Sequence, residues 1–197
     1  MTKAYDRAYF QRWYHNRGTR VNTRADVRRK VALAVAATEY FLHRPIRSVL
    51  DVGCGEGAWL PHLRALRPAV TYLGLDSSEY AVARFGRSRN IRRATFGDLP
   101  ALDAGVFDLV VCSDVLHYVP DDEILAGTKA IARLCDGIAF FEVLTAEDDV
   151  IGDLDSFIER RARWYRGVFA KAGFTQAGPY CWASPSLRDF LAELERT

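Results

Sequence analysis

Residues 49–58 read Val-Leu-Asp-Val-Gly-Cys-Gly-Glu-Gly-Ala, which places one carboxylate, Asp51, beside three alternating glycines, Gly53, Gly55 and Gly57. An apolar run that enters a glycine turn and then opens a helix brings main chain close to a ligand, the arrangement that holds nucleotide-like molecules. Gly53-x-Gly55-x-x-Ala58, with Asp76 further along, also satisfies a loose dinucleotide fingerprint, in which the later acid meets a ribose. Asp51 separates the two readings. A carboxylate at the strand tip repels a pyrophosphate and attracts a cation, each by a few kcal/mol at ~4 Å and intermediate dielectric. The pattern suits a ligand with adenosine at one end and positive charge near the turn. No metal-ligand spacing stands out: His15, His43, His62 and His117 are scattered, and Cys54, Cys112, Cys135 and Cys181 form no CxxC pair. Reduced thiols in an intracellular protein are the expectation.

These residues need a scaffold, and the chain supplies alternating signals for one. Short β-branched runs at 46–52, 70–75, 91–96, 106–112 and 138–143 alternate with helical stretches at 59–66, 79–85 and 124–134. That alternation predicts a doubly wound α/β fold with a mainly parallel sheet. A helix is expected over 154–172, then strands at 174–177 and 180–183 split by Gly178-Pro179, a hairpin that gives the sheet an antiparallel end. Residues 186–195 read as a short terminal helix. The first 44 residues read as helical, with Val27, Val31, Ala34 and Val35 on one face and Pro45 as the stop. The expected organisation is one domain over 1–197, with 1–44 as a helical extension or lid and 45–197 as the α/β core.

The 197 residues are 49% hydrophobic and 26% charged, enough for a buried core and unlike a disordered chain, a collagen or a coiled coil. No apolar run approaches the ~18 residues that span a bilayer, and the start has no apolar signal core, so a soluble, cytoplasmic protein without a membrane partner is expected. The net charge of +2 hides an uneven spread: residues 1–47 hold eleven Lys/Arg against three Asp/Glu. A basic arm of this kind is more often a solvated helix face than a nucleic-acid contact.

Asp51-x-Gly53-x-Gly55-x-Gly57 resembles the first motif of the class I, Rossmann-like S-adenosylmethionine-dependent methyltransferases. The resemblance continues through Tyr72-Leu73-Gly74-Leu75-Asp76-Ser77-Ser78, Phe96-Gly97-Asp98-Leu99 and the run 107–118, Phe-Asp-Leu-Val-Val-Cys-Ser-Asp-Val-Leu-His-Tyr. These cover about residues 46–145 in order, and they imply a seven-stranded sheet and S-adenosylmethionine as cofactor, a molecule with an ammonium, a sulfonium and no phosphate.

Roles follow from the chemistry and chain position of these residues, and for the glycines, Asp76 and Asp98 they are similar to those of the family. Asp76 and its neighbour Ser77 stand where the ribose hydroxyls are held, or Asp76 is a helix cap. Asp98 stands where the adenine amino group is held, with the Leu99 amide near a ring nitrogen, or it is a turn aspartate. Gly53 and Gly55 bring main chain to the methionine part, with the carbonyl of Cys112 or Ser113 at its ammonium; Cys54 is a small filler in the turn. Tyr14, with Tyr9, Trp13 and His15, could cover the cofactor and Arg20 could reach its carboxylate, or the aromatics are simply core. A second wall is expected from 145–155 and the helix bearing Trp164 and Tyr165. His117 is the first candidate base, unless it is packed beside Tyr118; Glu142 is the second, or an acid that orients the acceptor.

Methyltransferases acting on nucleic-acid amino groups typically carry an Asp/Asn-Pro-Pro-aromatic tetrad after the fourth strand. Ser113-Asp114-Val115-Leu116 departs from it, so a small-molecule acceptor is expected and nucleic acid is not. RNA or protein methylation through the basic arm, a nicotinamide-dependent oxidoreductase and a non-catalytic cofactor binder remain alternatives. A monomer or homodimer is expected.

Overall fold

A computed structural model describes residues 5–149 and 152–193. Strands β1 (Ser48–Val52), β2 (Thr71–Asp76), β3 (Ile91–Arg93), β4 (Phe107–Ser113), β5 (Cys135–Glu142), β6 (Thr175–Gly178) and β7 (Cys181–Ala183) form one sheet in the order β3-β2-β1-β4-β5-β7-β6. β1 to β5 are parallel, and β7 runs antiparallel to both β5 and β6. The chain winds outward from β1 to β3, then crosses back to β4 beside β1. That reversal opens a crevice at the carboxyl ends of β1 and β4, where open α/β sheets hold ligands.

Both sheet faces are buried, and the period of two divides the strand residues between them. Leu50, Val52, Leu73, Leu75, Val110, Cys112 and Phe141 join a core with Ile124 and Ile131 of α5 (Asp121–Leu134) and with Tyr165 and Phe169 of α6 (Ala162–Lys171). Val49, Tyr72, Leu109, Val111 and Phe140 face α2 (Arg24–Leu42) and α3 (Leu60–Leu66). α2 packs through Val31, Ala34 and Val35, with Val27 at the edge of the same cluster, as its spacing predicts. Thr23 and Asp26 close a reciprocal capping box at its start. At its end the Arg44 guanidinium makes two 2.8 Å contacts with Asp108 on β4, tying the helix exit to the sheet.

Four expectations change. The third strand stops at Arg93, and the chain turns into a 3-10 segment, Phe96–Ala101. The extension before α2 is a short α1 (Arg7–Phe10), a π-helical turn Gln11–His15, then irregular backbone. α6 starts at Ala162, because Ser156 has φ +64° and the preceding residues turn around Asp153 and Asp155. Apolar residues at 154, 157 and 158 mimic the start of a helix there. The tail is a 3-10 turn, Pro185–Phe190; residues 194–195 of the expected helix lie outside the described residues.

Candidate active site

The glycine turn follows β1 directly. Gly53, Gly55 and Gly57 all have φ between +54° and +76°, a region that costs other residues dearly. The Gly53 and Cys54 amides donate to the Leu75 carbonyl at 2.8 and 3.1 Å, so the turn rests on the tip of β2. Asp76, at that tip, accepts from the Gly55 amide at 2.7 Å and the Ser78 amide at 2.8 Å. Burial pushes its pKa up while the two amides pull it down. The cap of α4 (Glu79–Arg89) is Ser78, whose hydroxyl accepts from the Ala81 amide; Asp76 is therefore not the helix cap.

A cavity of about 980 Å³ opens here. Gly53, Gly55, Asp76 and Ser77 form one side, Arg93 to Phe96 a second, and Asp114, Val115 and Tyr118 a third. Tyr5, Tyr9, Phe10 and Tyr14 form the roof. Phe10 is buried against Gly55, and its ring centroid lies 5.7 Å from that of Tyr80. His15 Nε2 lies 2.9 Å from Glu56 of the glycine turn, which clasps the extension down over the turn. Among the described lining residues are five carboxylates, Asp6, Asp76, Glu79, Asp114 and Glu123, and a single cation, Arg93, which pairs with Glu79 at 2.7 Å. The lining therefore fits a cationic adenosyl ligand better than a diphosphate.

The structure brings Gly53, Gly55, Asp76, Ser77 and Tyr14 together around this cavity. Tyr14 keeps about a third of its surface in solvent (36%); lost hydration at its phenol, then the Asp114 and Asp76 charges, push its pKa up, so it stays protonated.

Other candidates are elsewhere. Asp51 is buried on the α2/α3 face of the sheet, where Tyr72 Oη donates to it at 2.8 Å; burial raises its pKa to about 7, against that hydrogen bond. It does not line the cavity, so the acids that set the cavity's charge are others. Cys54 is buried and its thiol pushed well up, as a filler should be. Asp98 is exposed and accepts from the Thr95 amide and hydroxyl at 2.7 and 2.8 Å, the turn role; Leu99 is buried in the core. Their neighbours Thr95 and Phe96 line the cavity instead. Arg20 is exposed and apart from the lining.

The two candidate bases are also off the cavity. Glu142 is held by Lys30, with Nζ 2.6 and 2.8 Å from its two oxygens, and accepts from the Ser113 hydroxyl. Neither Ser113 nor Glu142 lines the cavity. His117 is fully buried, packed 4.2 Å from Tyr118 and 5.1 Å from Phe157 between ring centroids. Its Nδ1 faces the Leu144 amide and its Nε2 lies 3.5 Å from Asp114. The second wall comes from Ser156, and residues 152–155 border a smaller recess with Tyr9, Arg12 and Trp13; Tyr165 is core.

Two residues at or beside the cavity escaped the sequence reading. Asp114 reaches the cavity through a left-handed backbone, φ +65°, that its motif does not announce. Arg160, buried, donates to the Val119 and Leu116 carbonyls and to Asp121, bracing the turn that carries Tyr118.

The sheet order, the antiparallel β7 and the glycine turn over a cavity at the reversal between β1 and β4 define a Rossmann-like, class I methyltransferase architecture. A family model described as "Methyltransferase domain" matches residues 10–188, and the chain belongs to that family. It is 33% identical over 146 residues to the trans-aconitate 2-methyltransferase of Deinococcus radiodurans, covering 73% of this chain and 54% of that protein. A ubiquinone biosynthesis O-methyltransferase of Azotobacter vinelandii is 41% identical over 81 residues, 38% of this chain and 34% of that protein. The chain thus spans about half the length, or less, of these curated relatives. Among solved structures, magnesium protoporphyrin IX methyltransferase from Synechocystis PCC 6803 superposes with a TM-score of 0.57 at 21% identity, over 91% of this chain and 93% of that one. An S-adenosylmethionine-dependent methyltransferase from Archaeoglobus fulgidus gives 0.62 at 14% identity, over 85% and 73%.

Proposed function

We propose that the protein transfers a methyl group from S-adenosylmethionine to a small-molecule acceptor. The observation that carries this reading is the carboxylate-rich cavity under the glycine turn, whose one described cation is already paired. Relatives named for trans-aconitate and ubiquinone biosynthesis support a small acceptor, as does a cavity of this volume. No helix among the described residues is long and apolar enough to cross a membrane.

The bound cofactor supplies an electrophilic methyl on sulfur, open to in-line displacement. The chain's residues bind, orient and exclude water. Asp76 offers two carboxylate oxygens for the ribose hydroxyls, next to Ser77. The main chain at Gly53 and Gly55 would border the methionine portion, and Thr95 and Phe96 would border the adenine; all four line the cavity. Asp98 keeps that last turn in shape through Thr95. The roof of Tyr5, Tyr9, Phe10 and Tyr14 shields the reacting atoms, and catalysis rests chiefly on positioning. His117 backs Asp114 rather than moving a substrate proton, and Glu142 holds Ser113 and Lys30 at the end of β5.

Calorimetric titration with S-adenosylhomocysteine and with NADH tests the reading, followed by transfer of labelled methyl to a metabolite mixture. Saturable S-adenosylhomocysteine binding without NADH binding, and label in small molecules, is expected. Tight NADH binding, or label found in RNA or protein alone, would overturn it.

A further inference from the structure

We propose that Glu56, inside the glycine turn, is a positioning residue that latches residues 5–15 over the cavity through His15, and that the opening of this contact sets the pace at which the cofactor enters and its product leaves. The inference rests on the methyltransferase reading and adds the regulation of that same cavity.

Three anchors hold the extension down, and all three sit on the wall built by the glycine turn and α4. The Ser78 hydroxyl, at the cap of α4, donates to the Tyr5 carbonyl. Phe10, 3% exposed, lies on Gly55, where an added Cβ would come within 3.0 Å of its ring. At the far end of the segment, one Glu56 carboxylate oxygen lies 2.9 Å from His15 Nε2, and the other accepts from the Tyr80 phenol at 3.2 Å. The Glu56 backbone carbonyl accepts from the Arg89 guanidinium, so α4 grips this residue at both its main chain and its side chain. The amide of the neighbouring Gly55 belongs to Asp76. Glu56 thus joins roof, glycine turn and α4.

The anchors are unequal in strength. Phe10 is buried, whereas the His15 side chain is 48% exposed and that of Glu56 13%, and a contact this open to water is weak. A ligand lying along Gly53 and Gly55 is beneath Phe10 and Tyr14, and it passes only when the extension lifts. A gate that opens in every turnover needs a fastening of this modest strength, since a strong buried pair would hold it shut. The Asn16 and Val21 amides donate to the Gln11 and Trp13 carbonyls, both at 2.9 Å, so the loop to Val21 travels with the extension. Thr23 is fixed by the capping box of α2, which leaves the pivot between Val21 and Thr23. On the outer side, Tyr9, Arg12 and Trp13 border the recess of about 440 Å³ facing residues 152–155, which gives the segment room to move. All these contacts are made by the chain's own groups, so they close the roof over free and liganded protein alike. Weakening the latch raises the open fraction of both, and association and dissociation then quicken together while affinity barely moves.

Stopped-flow mixing with S-adenosylhomocysteine, followed through tryptophan fluorescence because Trp13 rides on the extension, gives both rates for wild type, His15→Ala, Glu56→Ala and the double variant. His15→Ala should raise association and dissociation about two- to fivefold each and leave Kd within about twofold. In a chain already carrying Glu56→Ala, adding His15→Ala should change neither rate by more than ~1.5-fold, because the partner is gone. Unmoved rates in His15→Ala, faster dissociation with an equally weakened Kd, or independent effects of the two substitutions would overturn the inference. His15 is exposed, so His15→Ala decides the matter alone should Glu56→Ala fail to fold. If the wild type fails to bind S-adenosylhomocysteine, the methyltransferase reading falls and takes this inference with it. Binding with unmoved exchange rates in the variants sinks this inference alone.

Discussion

The phenol of Tyr72 donates to the Asp51 carboxylate at 2.8 Å, and both groups are buried between adjacent strands. Burial outweighs this bond and raises the Asp51 pKa to about 7 in the folded protein. An unfolded aspartate titrates near ~3.9. The folded state therefore holds a proton that the unfolded state has released between these values, and the stability gained is full below pH ~4 and lost as pH rises through about 7. Asp51→Asn should remove that slope. Thermal melts should show the variant gaining on wild type from pH 5 to pH 8, by a few kcal/mol at most; parallel pH profiles would refute the buried, protonated acid. Tyr72→Phe should do the reverse and cost more at pH 8 than at pH 5.

Gly53 carries a second steric requirement. A Cβ there would lie 2.3 Å from Val115 Cγ2, and φ is +71°. Gly53→Ala should destabilise the protein by roughly 1–3 kcal/mol and weaken S-adenosylhomocysteine binding, because the turn must shift. Val115→Ala in the same chain relieves the clash and leaves the backbone strain, so partial recovery in denaturant melts is expected. Full recovery would show that φ is not costly there.

Asp76 holds the Gly55 and Ser78 amides now and is placed to serve the ribose. Asp76→Ala should weaken S-adenosylhomocysteine by about 10- to 150-fold, the worth of a charge-assisted hydrogen bond. Unchanged affinity in calorimetry would take this residue out of the binding site.

Arg160 ties the turn after β4 to α5 and stacks its guanidinium 4.9 Å from the Trp164 ring centre. Arg160→Lys keeps the charge and loses the fork that serves the Val119 and Leu116 carbonyls and Asp121 together. A loss of about 2–4 kcal/mol in urea denaturation is expected. A change below ~0.5 kcal/mol would mean the turn is held by other contacts.

The strands were legible because each is a short β-branched or apolar run with turn residues at both ends, and the burial of both faces follows from parallel pairing. β1, β2, β4 and β5 lie within three residues of their expected limits. The helix expected from 154 failed because its apolar periodicity belongs to an irregular segment with Ser156 in the left-handed region. At the site, the positions of the glycine turn and Asp76 on the cavity wall could be read because they come from backbone conformation and chain position. Asp51 was misplaced although alternation gave a clue: it shares a face with Val49, and Val49 is in register with Tyr72. His117 and Asp114 are three residues apart on one turn, and only the left-handed Asp114 decides which faces the cavity.

A crystal structure grown with S-adenosylhomocysteine tests the role of the cavity between the tips of β1, β2 and β4 most directly. The ribose hydroxyls are expected on Asp76, the adenine beside Thr95 and Phe96, and the homocysteine end along Gly53 and Gly55. An adenosyl group bound anywhere else on the molecule, with Asp76 still serving only the Gly55 and Ser78 amides, would contradict that role.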